Sequence, residues 1–177
     1  MGFSKTVKFF AIFYTLFFAL PTYALEGRGE KIYNRMLNEF VIEVNQKHGL
    51  KYMGGGGAMK NEIKKTSFLF SYEGPMSLDE ARSIFVEISQ DWLEWINENE
   101  DLREYLLVYP FEPENIDIGL MHRNFSEANL DVDCIAGVSV LEDKVHFRIF
   151  DPEIKRLKNI SIESYSELMS QDSSGHE

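Results

Sequence analysis

One amphipathic segment, residues 78–97, constrains the fold of this chain more than any other feature of its sequence. Ser77 precedes it and Glu80 lies three residues further on, which is the S-x-x-E pattern of a helix N-cap with a capping box. Its apolar side chains recur at helical spacing and form one stripe: Ala81, Ile84, Phe85, Ile88, Trp92, Trp95 and Ile96. Because so wide an apolar stripe must be covered, the sequence predicts a long helix buried along one side.

Four segments have the alternation of half-buried strands and provide a layer that can cover this helix. They are residues 66–73, 116–121, 135–141 and 144–150. Short links between the last three favour an antiparallel meander with one solvated face. We therefore expect a two-layer α+β fold in which an antiparallel sheet of about four strands packs on one long helix. Residues 154–162 are expected to form a further short strand or an extended segment, and residues 161–169 a short C-terminal helix.

The chain before the first predicted strand contains a second amphipathic helix and a Gly-rich stretch. Apolar residues recur at helical spacing over residues 30–48, and four consecutive glycines follow at 54–57. The glycines lack the Gly-Lys-Ser/Thr ending of a phosphate-binding loop, and they precede a strand rather than a helix. We therefore expect residues 49–65 to be a linker, either a flexible joint or a tight passage without room for side chains. Residues 66–169 then form the core domain, followed by a disordered polar tail at 170–177.

The first 24 residues have the pattern of a secretory signal peptide. Lys5 and Lys8 supply positive charge, residues 9–20 form an apolar core, and small residues precede a cleavage site after Ala24. The apolar core is shorter than the roughly 20 residues that a membrane-spanning helix needs. We expect an exported, soluble protein without a stable membrane span in the mature chain, located in the periplasm or secreted.

Net charge limits the partners of the mature chain. The leader holds two of the 18 basic residues and none of the 29 acidic ones, so the remaining 153 residues carry a formal charge of −13. Such a chain repels nucleic acid and anionic lipid, and it suits a soluble protein or one with a basic partner. Its length fits one domain with one core.

Cysteine and histidine residues are the candidates for catalysis. Cys134 is the only cysteine, so an intramolecular disulfide is excluded. A thiolate nucleophile needs a histidine base and an orienting acid, roles open to His122 or His146 and to Asp131 or Asp133. No protease signature surrounds Cys134, and a buried, inert thiol is the simpler interpretation.

A metal site would draw on His122, Asp131, Asp133 and His146. The sequence contains none of the H-E-x-x-H, C-x-x-C or calcium-loop patterns that set ligand spacing. We therefore expect no metal and no cofactor.

A bend rich in aromatic residues and prolines is the candidate binding surface. Tyr105, Tyr109 and Phe111 surround Pro110, and aromatic residues are enriched at protein interfaces. The alternative is a bend that packs against the core. The sequence thus favours a non-enzymatic binding protein with an unknown protein partner. Two alternatives stay open: a hydrolase that uses Cys134, and a carrier that holds a small apolar ligand between the long helix and a curled sheet.

A further pattern combines four features. They are a Gly-rich turn, the motif SLDEAR at the start of a long helix, IN near the end of that helix, and YPFEPENIDI before a strand. In these features the chain resembles uncharacterised secreted proteins from bacteria, over about residues 54–168. The resemblance implies export and similar domain boundaries. It assigns no role to any residue.

Overall fold

The computed structural model describes residues 20–58, 62–124 and 134–171, with side chains described within those ranges from 27 to 170. Most of the predicted signal peptide (1–24) and of the predicted tail (170–177) lies outside these residues. The elements, in chain order, are α1 (Leu20–His48), β1 (Lys51–Ala58), β2 (Lys65–Tyr72), α2 (Leu78–Glu98), α3 (Glu100–Arg103), a 3-10 turn (Pro113–Asn115), β3 (Ile116–His122), β4 (Ile135–Leu141), β5 (Lys144–Asp151), β6 (Arg156–Ser164) and α4 (Tyr165–Gln171). None of the described helices has the length and apolarity needed to cross a bilayer.

The strands form one mixed sheet of six strands in the order β1 to β6. Neighbouring strands are antiparallel except β2 and β3, which run parallel because the intervening chain, with α2, crosses back over the sheet. The α+β class is confirmed, but the expectation of about four strands, all antiparallel, is wrong. The additional strands are β1, which comes from the predicted linker, and β6, which extends the segment expected at 154–162.

The Gly-rich stretch within 49–65 is mainly an edge strand, where the sequence predicted a linker. β1 pairs with β2 along its length, with a bulge at Met53. Gly54 has a φ of 137°, which residues with a side chain rarely adopt. A Cβ on Gly55 would lie 2.4 Å from the carbonyl oxygen of Ser67, so that position has no room for a side chain. Backbone conformation explains Gly54, and close approach of two backbones explains Gly55.

Helix α2 begins as its sequence predicts. The Ser77 hydroxyl accepts a hydrogen bond from the Glu80 N–H at 3.2 Å, and the Glu80 carboxylate accepts one from the Ser77 N–H at 2.9 Å. The capping box therefore satisfies two backbone donors that the first turn of a helix leaves free.

The apolar stripe of α2 packs on the sheet through Trp92. This side chain is 0% exposed, and its ring centre lies 4.6 Å from that of Phe68 in β2 and 4.8 Å from that of Phe40 in α1. The indole Nε1 donates to the hydroxyl of Thr66, also 0% exposed, at 3.0 Å. Trp95 is partly buried against the same core. The two long helices thus cover one face of the sheet around a common aromatic centre.

Helix α1 is longer than predicted. It spans Leu20–His48, whereas the sequence predicted a helix over 30–48. The added turns, residues 20–29, contain Pro21, Gly27 and Gly29, and these poor helix formers give no helical signal in the sequence. The helix passes Tyr105 at Gly29, where a Cβ would lie 2.6 Å from the tyrosine ring.

Candidate functional site

Cys134 and His122 lie near the same end of the sheet. Cys134 is half-buried directly before β4, and His122 ends β3 with 5% of its surface exposed. The Tyr72 ring lies edge-on to the His122 ring at 5.4 Å, and the Tyr72 hydroxyl donates to the Ile135 carbonyl. Burial, and secondly the Cys134 thiol, raises the pKa of Tyr72. Two of the sequence-predicted catalytic residues therefore share one neighbourhood, around a buried tyrosine.

This neighbourhood does not present His122 as a base for a thiol. Its Nδ1 atom accepts a hydrogen bond from the Asn124 N–H at 3.2 Å, which places the proton of the neutral ring on Nε2. In that tautomer Nε2 donates, so neither ring nitrogen is free to take a proton from Cys134. Asp131 and Asp133, the candidate orienting acids, lie outside the described residues.

His146 belongs to a different part of the sheet. It pairs with Ser139, five residues along β4 from Cys134, which is about 17 Å of extended chain. His122 continues the buried alternation of β3, toward the helices, whereas the register places His146 on the opposite face. The two histidines therefore cannot bind one metal ion. Within the described ranges, no three His, Cys, Asp or Glu side chains are arranged to hold a metal.

The aromatic bend is divided between core and surface. Tyr105 and Phe111 are 9% and 2% exposed, and both belong to the hydrophobic core. Tyr109 is 48% exposed, and its hydroxyl accepts a hydrogen bond from Arg103, whose guanidinium lies 4.4 Å from the centre of its ring. Of the three predicted contact residues, only Tyr109 is available at the surface.

The middle of the space between α2 and the sheet is filled by the rings around Trp92, and one described cleft lies between the first turns of α2 and the end of β2. It is the largest of the described clefts, at about 330 Å³, and is lined by charged side chains such as Lys51 and Glu73, which pair at 3.0 Å. His48 lies in its wall, with Nε2 3.7 Å from a Glu87 oxygen and without a hydrogen-bond partner. Burial lowers the pKa of His48. None of these clefts has the apolar lining expected of a small-ligand carrier.

The face of the sheet opposite α1 and α2 carries a row of residues, one from each of β2 to β6. Leu69 pairs with Gly119, Ser139 with His146, and His146 with Ile162. The β3–β4 register, continued by one pair, places Gly119 opposite Ser139. Residues opposite one another on neighbouring strands share a face, so these five form the open-face row.

Exposed aliphatic side chains stand on this open face. Leu69, Ile162 and the neighbouring Leu141 are 37%, 51% and 57% exposed. The strand registers place four basic residues and one acidic residue on the same face, which are Lys51, Lys65, Lys144, Arg148 and Asp117. Lys65 and Asp117 form an ion pair at 3.0 Å. The open face is thus weakly positive on a chain whose formal charge is −11.

Sequence reasoning identified part of this face and missed its aliphatic residues. Alternation in β5 places His146 and Arg148 opposite the buried Val145 and Phe147, as predicted. Ile162 has no such signal, because an exposed aliphatic residue in a strand alternates in the same way as a buried one. Only the position of the helices shows which face is covered.

No protein-family model matches this sequence, and neither a curated protein sequence nor a solved structure shows significant similarity to the chain.

Proposed function

We propose that this chain is an exported, soluble, non-enzymatic protein that binds an acidic partner polypeptide on the open face of its sheet. Export rests on the charge, apolar core and cleavage pattern of the first 24 residues. The resemblance to secreted bacterial proteins supports the same location, in the periplasm or outside the cell.

The observation that carries the proposal is the combination of exposed aliphatic side chains and positive charge on one flat face. Full burial of Leu141 or Ile162 against a partner would contribute about 1 kcal/mol each, since each is already about half covered. Lys144 and Arg148 would favour carboxylates on the partner and steer its approach. Nucleic acid fits less well, because a long polyanion extends beyond the open face and meets the negative charge of the rest of the chain, which a short acidic segment on that face avoids.

Binding is favoured over catalysis because the candidate catalytic residues are not assembled for chemistry. His122 carries its ring proton on Nε2, as a donor, and His146 lies about 17 Å further along the sheet, on its other face. We infer that Cys134 and His122 have packing roles next to Tyr72.

Panning a phage-displayed library of random linear peptides against the purified protein tests the proposal. We expect enriched peptides to combine acidic and aliphatic residues, and their affinity to fall as salt rises. Ile162→Asp and Lys144→Glu should each weaken a synthetic copy of the best peptide by about tenfold or more, as measured by isothermal titration calorimetry.

Ile42→Asp is the matched control, because Ile42 is 57% exposed on α1, on the far side of the molecule from the open face. Its affinity for the same peptide should equal that of the wild type. Equal affinity in Ile162→Asp, or a library that enriches no peptide, would overturn the proposal. Loss of binding in Cys134→Ala would favour the cysteine-dependent alternative instead.

A further inference from the structure

The outer edge of β1 is open to pairing. Among the described residues β1 pairs with β2 alone, and seven of its eight residues are exposed. From Tyr52 to Ala58 the strand carries no charge and no proline, and Gly54–Gly57 have no side chains to obstruct a neighbouring strand. Proteins usually protect such edges, since a row of unpaired N–H and C=O groups is a template for another chain.

The opposite edge of the same sheet is protected. β6 carries Arg156 and Lys158, and its pairing with β5 is interrupted by a bulge at Ile160. Lysine residues and bulges are two devices by which natural sheets prevent edge-to-edge pairing. β1 also has a lysine, Lys51, and a bulge, at Met53, but both lie at its start, so residues 54–58 keep an uncharged edge that is open for an occupant.

We infer that the occupant is β1 of a second copy of this chain, paired antiparallel about a two-fold axis near Gly55. Such an axis places Met53, which is 60% exposed, beside Gly57 and Ala58 of the second copy. The part of each strand with large side chains, Tyr52 and Met53, therefore lies along the glycine-rich part of the other strand. The edge is thus complementary to itself. Large side chains that cover glycines on a neighbouring strand stabilise edge pairs.

Electrostatics favour the same edge. Two copies that each carry a formal charge of −11 repel one another, and a contact of α2 with α2 would oppose like charges, since this helix has six acidic residues and one basic residue. Residues 52–58 are neutral, so no like charges face one another across the pairing region. A two-fold axis is also the commonest symmetry of soluble dimers. A contact of one strand pair is small, so the dimer should be concentration-dependent.

This pairing fixes how the two open faces lie relative to one another, and its consequence for binding rests on the proposed function. A two-fold axis perpendicular to the sheet joins the two sheets into one of twelve strands, with the helices of both copies on the same side. Both open faces then point the same way. Any partner with two binding sites would gain affinity from the paired faces without a new contact.

Sedimentation velocity of the purified mature protein over a concentration series tests the inference. We expect a reversible monomer–dimer equilibrium that Gly56→Lys weakens by about tenfold or more. Gly56 suits this test because a Cβ there would meet only Ser67 Oγ, at 3.8 Å, so the variant should fold. Ile162→Lys, on the opposite edge, is the control and should dimerise as the wild type does.

A cross-link provides a second measurement. In a Cys134→Ala background, a short bis-maleimide reagent should cross-link two Gly56→Cys chains, because pairing about Gly55 makes these positions diagonal neighbours about 7–8 Å apart. Ser164→Cys on β6, in the same background, should not be cross-linked between copies. A wild-type protein that stays monomeric at every concentration would overturn the inference. So would a dimer that Ile162→Lys disrupts and a folded Gly56→Lys preserves.

Discussion

The hydrogen bond between Trp92 and Thr66 gives the sharpest test of how the two layers are held together. Both side chains are 0% exposed, and the indole Nε1 lies 3.0 Å from the threonine hydroxyl. Trp92→Phe removes part of a ring system packed at 4.6 Å and 4.8 Å against Phe68 and Phe40, and it leaves the Thr66 hydroxyl without its donor.

The expected free energies follow from these contacts. Loss of buried ring surface should cost about 2 kcal/mol, and the unpaired hydroxyl about 1 kcal/mol more. Thr66→Val should cost about 1 kcal/mol, because it leaves a buried indole N–H unpaired. The double variant removes both partners and should cost only about 2 kcal/mol, which is less than the two single changes together.

Urea denaturation followed by far-ultraviolet circular dichroism measures these differences, since that signal does not depend on the substituted tryptophan. The m-values should stay constant, so that shifts in midpoint report stability alone. Additive effects of Trp92→Phe and Thr66→Val would refute the hydrogen bond as a coupled, buried pair. A cost below about 1 kcal/mol for Trp92→Phe would refute Trp92 as the centre of the core.

Three further predictions concern other parts of the chain. The free energy of unfolding of Gly55→Ala should be lower than that of Gly56→Ala by about 1–3 kcal/mol in urea denaturation, because only at Gly55 would a Cβ collide with the Ser67 carbonyl. Burial lowers the pKa of His48 in the folded state, so protonation of this ring destabilises the fold. The free energy of unfolding is therefore highest above the ordinary histidine pKa and decreases as pH falls through the folded value. His48→Gln should flatten that part of the stability-versus-pH curve measured by urea denaturation, and an unchanged slope would contradict this assignment. Expression of the full chain in a bacterial host should yield an exported product whose mass corresponds to cleavage after Ala24, and an uncleaved cytoplasmic product would exclude export.

Sequence reasoning succeeded where a local pattern and the final packing depend on the same side chains. The S-x-x-E capping box and the stripe that contains Trp92 predicted α2 because helical spacing and burial act on the same residues. It failed for residues 51–58, since glycine has no side chain whose alternation could indicate a strand. The pairing of β1 with β2 through backbone atoms leaves almost no trace in residue type.

For the candidate sites, the difference lies in which face of the sheet each side chain occupies. Sequence proximity and residue chemistry grouped His122 with His146, but strand register places them on opposite faces. Tyr105 and Phe111 have the composition of an interface and nevertheless lie in the core. Residue type sets what a side chain can do, whereas burial and register decide what it can reach.

The sequence by itself determined the long buried helix, the α+β class and the expectation of export, because each depends on short-range order of charge and apolarity. Only the tertiary structure decided that the glycines form an edge strand, that β2 and β3 run parallel, and that none of the described helices covers the second face of the sheet. These features depend on contacts between residues far apart in the chain, and the free energy of such contacts is not encoded in any single segment.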